Sequence, residues 1–154
     1  SSLNHTMQRT AVVWSSAPDY APSRLTIAAT LSDARYRLTA TLRLENRGPT
    51  TPEFVTATMP LPRGPSLLTD TVQASNGRVT ITDHAIIWKT AVGDNPTPSL
   101  TAVFSYAIKP ETYWLSLMAV IDDTITPPLV AGQIVPLRPY TLYFPIAAYN
   151  QPMP

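Results

Sequence analysis

Between residues 36 and 45 the chain sets Leu38, Ala40, Leu42 and Leu44 on one parity and Thr39, Thr41, Arg43 and Glu45 on the other. That is the period of a strand buried on one face. The run ends in Asn46-Arg47-Gly48-Pro49, which predicts a turn: Gly48 is free to take positive φ, and Pro49 cannot extend the pairing. Comparable runs lie at 10–15, 24–31, 53–59, 67–74, 78–82, 85–90, 99–108 and 113–121, separated by Pro, Gly, Asn and Asp. No apolar stripe of helical period exceeds two turns. The pattern therefore predicts an all-β protein, a sandwich of about seven to nine antiparallel strands that is nearly free of helix.

Particular segments carry sharper expectations. Asn76-Gly77, between 72–74 and 78–81, predicts a type I′ hairpin, which needs positive φ at both central residues. Thr82-Asp83-His84 predicts another turn before Ile86-Ile87-Trp88. Leu100, Ala102, Phe104, Tyr106 and Ile108 form the longest clean alternation and read as the inward face of a central strand. The run at 113–121 is apolar on both parities, Leu115 and Leu117 on one and Trp114, Met118 and Val120 on the other. Such a strand is sandwiched or covered, and the covering candidate is 133–149, where Pro136, Pro139 and Pro145 interrupt a ladder and confine the segment to an edge or to packing across a face. The expected core is Leu38, Leu42, Leu44, Val55, Ile87, Trp88, Phe104, Tyr106 and Leu117.

Composition narrows this picture. A chain of 154 residues that is 44% hydrophobic can bury one real core, so a single domain is expected over 1–154, with 1–9 and 150–154 as flexible ends. Charged residues make up 14% of the chain, against roughly 25% in an average domain, and 17 prolines favour strands and turns over helices. The net charge of +1 is scattered rather than gathered into a basic stripe, which argues against nucleic acid as a partner. No run of roughly 18 apolar residues predicts membrane insertion of this segment. The absence of cysteine excludes disulfides, thiol nucleophiles and cysteine zinc sites.

The order of motifs carries a resemblance. A strand leads into Asn46-x-Gly48-Pro49, then come a hydrophobic strand, Leu61-Pro62, a Gly turn, the Ile86-Ile87-Trp88 strand, Gly93 and the strand at 100–108. This is similar to the conserved repeat domain of bacterial surface proteins catalogued as domain of unknown function 11, over about residues 38–121. Thr58-Met59-Pro60 stands where that pattern often has an Asp before the Leu-Pro, and Asp94-Asn95-Pro96 replaces its simpler Gly turn. The resemblance implies an immunoglobulin-like sandwich in an exported protein, extracellular or on the cell surface, serving as spacer, stalk or adhesion module beside neighbouring domains of a longer chain.

Candidate chemistry is sparse. Asp83-His84 with any serine lacks a nucleophile elbow and reads as turn chemistry. His5, in the polar N-terminal stretch, reads as no ligand, and two histidines without cysteine make a transition-metal site unexpected. Asp122-Asp123, with Asp70 or Asp94, falls short of the six to eight oxygens calcium takes and reads as a strand-ending turn. Lys89 and Lys109 end strands and read as solvated rather than as isopeptide donors. Trp88 matches the tryptophan of the resembled family and reads as core. Trp114 is the candidate binding residue, as part of an aromatic platform for sugar rings or another ligand. The expectation is a non-catalytic structural or adhesive module without cofactor; the alternative is a carbohydrate-binding or other ligand-binding accessory domain, with glycan or protein as its ligand.

Overall fold

Antiparallel pairing joins nine strands into two stacked sheets in the computed structural model, which describes residues 17–92 and 97–139. They are β1 (Arg24–Ser32), β2 (Arg35–Arg43), β3 (Val55–Pro60), β4 (Ser66–Ala74), β5 (Arg78–Ile81), β6 (Ala85–Thr90), β7 (Ser99–Ala107), β8 (Tyr113–Asp122) and β9 (Leu129–Leu137). One sheet has the order β1-β2-β7-β4 and the other β5-β6-β3-β8-β9. None of the described residues is helical, and the expected β-sandwich is the architecture observed. The run at 10–15 and the ends at 1–9 and 150–154 lie outside the described residues.

Period-two patterning builds the core. Leu38, Ala40, Leu42 and Leu44 are fully buried, and facing them from the other sheet are Val55, Ala57, Met59, Trp88, Leu115, Leu117 and Ile121. β7 is interior to its sheet and turns Leu100, Ala102, Phe104 and Tyr106 inward, as its alternation predicts. The expected core holds with one correction: Ile86 is buried, whereas Ile87 is only partly covered on the outer face. Trp88 decides this parity, because burying its large ring commits positions 86, 88 and 90 to the inside.

Two segments depart from expectation. Asn76-Gly77 does not close a hairpin, since β4 and β5 belong to different sheets. Only Gly77 has positive φ, at 84°. The segment is a corner between sheets, held because the Trp88 indole N–H donates to the Asn76 carbonyl at 2.8 Å and Thr90 Oγ1 donates to Asn76 Oδ1 at 2.9 Å. The second departure is 133–149, whose described part does not cover a face. β9 instead pairs with β8 from Ile121↔Leu129 to Tyr113↔Leu137. Pro136 is compatible with that ladder because β9 is the outermost strand.

Each margin of the sandwich carries a device against edge pairing. β4 is broken by an irregularity between Leu68 and Gln73, where Thr71 Oγ1 accepts the Val103 N–H. β5 has only four residues. The Ile27 N–H of β1 donates to Gln133 Oε1 of β9 at 2.7 Å, which links the two sheets across their open side, and β9 carries Pro136.

The β1–β2 hairpin yields a first prediction. Asp33 and Ala34 have φ of 53° and 59° between the paired Ser32 and Arg35, a two-residue loop that glycine or asparagine usually occupies. The Ala34 Cβ is strained there by about 1 kcal/mol, partly offset in a glycine variant by greater unfolded-chain entropy. Ala34→Gly is expected to stabilise the protein by about 0.5 kcal/mol and Ala34→Val to destabilise it by more than about 1 kcal/mol. Thermal unfolding of the pair checks this; a glycine variant less stable than the valine variant contradicts the turn assignment.

The path of the chain sets two poles. Residues 17–23 pack beside Asn46, beyond the end of β2, and the last described residues lie beside Tyr36 at its start, where the Tyr36 hydroxyl donates to the Arg138 carbonyl at 3.0 Å. These poles are separated by the length of a strand of about ten residues, roughly 33 Å.

Candidate functional site

Trp114 stands on the outer face of the five-stranded sheet, 63% exposed, next to Pro136 across the β8–β9 ladder. It is placed there by the parity that sends Leu115 and Leu117 into the core. Met118, Val130 and Ile134 share this face and are 44%, 60% and 64% exposed. A shallow groove of about 430 Å³ runs between Ser116, Met118, Val130 and Ile134. A large apolar patch of this kind is the feature most often tied to recognition. Val130 and Ile134 were hidden from sequence reading by the prolines around them, although 129–137 does alternate: Ala131 and Leu137 are buried and Val130, Gly132 and Ile134 exposed.

Trp114 has no exposed aromatic partner on its face among the described residues. Phe54, 48% exposed, lies at the other pole, just before β3, with the Lys89 ammonium 4.8 Å from its ring centroid. Tyr113 faces the opposite way, stacked on Tyr106 at 5.1 Å between centroids, and its hydroxyl donates to the Arg63 carbonyl. Trp88 is fully buried. Trp14 lies outside the described residues.

The charged side chains of this face are gathered near one end. The ladder aligns Arg78 with Lys89, Lys89 with Thr56, and Thr56 with Asp122. The row is positive on the β5–β6 flank and negative on β8. Next to it runs an uncharged row through Thr80, Ile87, Thr58, Val120 and Val130. An open groove of about 330 Å³ at the charged end is lined by Pro52, Glu53, Phe54, Lys89 and Asp122 among others.

The same pole holds a buried polar clamp. Asp123, only 4% exposed, accepts the N–H groups of Ile125 at 2.9 Å and Thr126 at 2.7 Å and the Thr126 hydroxyl at 3.0 Å through Oδ1. Its Oδ2 accepts the hydroxyl of Tyr20, itself 4% exposed, at 3.1 Å. Burial alone would raise the Asp123 pKa, but the bonds from Thr126, Ile125 and Tyr20 outweigh it and hold the carboxyl below its ordinary value. Burial, the bond to Asp123 and that residue's negative charge push the Tyr20 hydroxyl well above its usual range. Asp122 accepts the Thr124 N–H at 2.9 Å, so the two aspartates form the strand-ending turn. Thr124 closes that turn with φ of 65°. Asp70 lies in β4 of the other sheet, and Asp94 is outside the described residues.

The remaining sequence candidates are not gathered. His84 is exposed in the β5–β6 turn, its N–H donating to Thr82 Oγ1 and its carbonyl accepting from Leu61. Lys89 and Lys109 are exposed, and His5 lies outside the described residues. Among the described residues no three His, Cys, Asp or Glu side chains form a metal cluster, no buried side-chain polar atom lacks a partner, and no helix is long and apolar enough to cross a membrane. Comparison with family models, curated proteins and solved structures returns no match.

Proposed function

We propose that this chain is a non-catalytic structural or adhesive module of an exported bacterial surface protein, an immunoglobulin-like sandwich set between neighbouring domains. The observation that carries the reading is the path from pole to pole: the described chain enters beside Asn46 and Asp123 and leaves beside Tyr36. A domain threaded in this way transmits position along a string of modules, with the sheets lying along the line of pull. The motif order from Asn46-x-Gly48-Pro49 to the strand at 100–108 supports the same reading.

Force applied between the ends then loads the strands along their length, so the ladders resist together. Stretching a single molecule is expected to give one unfolding step with a gain of about 400 Å, the extended length of the described chain less its folded span. Gradual lengthening without a defined step overturns the spacer reading.

The ligand-binding alternative is favoured by the exposure of Trp114. A sugar platform also calls for a second flat ring and polar groups at its rim, and the neighbours of Trp114 on β8 and β9 are Ser116, Ile134 and Pro136. Glycan-array binding abolished by Trp114→Ala, with folding intact, would decide for that alternative.

A further inference from the structure

We propose that the outer face of the five-stranded sheet is the seat of a second copy of this chain, docked face to face about a twofold axis running along β3. The inference concerns this surface alone and holds whether or not the protein is exported.

Charge distribution selects the occupant. The row across this face is positive at Arg78 and Lys89 on β5 and β6, neutral at Thr56 on β3 and negative at Asp122 on β8. β3 is the central strand of the sheet. A twofold along it lays the Arg78 and Lys89 flank of one copy over the Asp122 flank of the other, and does so twice. The same operation lays Val120, Val130 and Met118 of the β8–β9 flank onto Ile87, Thr80 and Ala85 of the β5–β6 flank, row on row, while Trp114 and Ile134 extend past the end of β6. No charged side chain lies in those two rows. A twofold face must match itself, and this one does so in both sign and polarity.

Area sets the strength. The overlapping face, five strands at about 4.8 Å by three outward rows at about 7 Å, is on the order of 500 Å² a side. Two such faces bury on the order of 1,000 Å², at the lower limit for a specific interface. The association is therefore weak and is driven by high local concentration, as on a crowded surface.

Sedimentation of the full chain from micromolar to millimolar concentration tests this, with circular dichroism confirming that every variant is folded. The expected result is a concentration-dependent dimer that Val130→Lys abolishes. Lys89→Glu and Asp122→Lys each weaken it about tenfold, since each places like charges together twice in the dimer. An equimolar mixture of those two variants restores it to within about threefold, because each then meets its complement. A monomer at every concentration overturns the proposal, whether the face is held by another protein or by residues 140–154 of the chain itself. A dimer indifferent to Val130→Lys, or a mixture that fails to recover, overturns it as well.

Discussion

Asp123→Ala is expected to lower the melting temperature by roughly 15 °C, the equivalent of about 3–4 kcal/mol in a domain of this size. The carboxylate is the acceptor for four donors: the N–H groups of Ile125 and Thr126 and the hydroxyls of Thr126 and Tyr20. Alanine leaves all of them without that acceptor in a site closed to bulk water. A stripped buried donor costs about 1–3 kcal/mol, and partial entry of water recovers some of this. Asp123→Asn keeps the Oδ1 acceptor and the shape, so its expected cost is only about 1–2 kcal/mol, the loss of charge assistance.

The same pair separates the pH dependence. The folded pKa of Asp123 lies below its ordinary value, so its contribution is complete above the unfolded pKa of about 3.9 and is lost as pH falls through the folded value. Wild-type protein is expected to lose stability on acidification below about pH 4, and Asp123→Asn to lose measurably less over the same interval. Tyr20, raised above its ordinary value, behaves in the opposite sense: its contribution is complete below about pH 10 and declines as pH rises toward the folded value. Denaturant unfolding across pH checks both limbs. Identical acid limbs for wild type and Asp123→Asn would exclude Asp123 as a source of the acid loss.

Gly48→Ala is the second large effect, expected to cost about 2–3 kcal/mol, the usual range for overpacking. Gly48 does not have positive φ; among the described residues the left-handed glycines are Gly64 and Gly77. What requires glycine is the approach of the N-terminal segment, since a Cβ at position 48 would stand 2.1 Å from the Ala17 carbonyl oxygen, 2.8 Å from the Asp19 nitrogen and 2.9 Å from the Pro18 carbonyl carbon. These are backbone atoms that cannot rotate aside. The strap must lift, losing the bonds from the Asp19 N–H to Asn46 Oδ1 and from the Arg47 N–H to the Asp19 carbonyl, 2.9 and 2.8 Å long. Because the strap also carries Tyr20 to Asp123, the two sites are coupled. Gly48→Ala combined with Asp123→Ala is expected to cost less than the sum of the single changes. Strict additivity in that cycle would mean that the strap and the clamp act separately.

Which residues face inward within a strand was legible at the level of single residues. The alternations at 38–44 and 100–106 determine their buried faces because a period of two leaves no other way to bury them. The Asn46 turn and the Thr82 turn were legible too, although what holds them in the structure is side chains that satisfy nearby backbone groups.

Where a segment's partner lies far along the chain, local pattern was silent or misleading. Asn76-Gly77 has the composition of a hairpin and is a corner between sheets, because Trp88 and Thr90, twelve and fourteen residues from Asn76, hold it there. Gly48 reads as a φ requirement and is a clearance requirement, set by residues 17–19. The Tyr20–Asp123 clamp spans 103 positions; Asp123 was legible as part of a strand-ending turn, but nothing local marks its pairing with Tyr20. Trp114 shows the boundary between the two kinds of information. Alternation alone determined that it opposes Leu115 and Leu117, while its exposure was decided only when β9 paired beside β8 instead of lying across it, an outcome set by backbone hydrogen bonding along the whole strand.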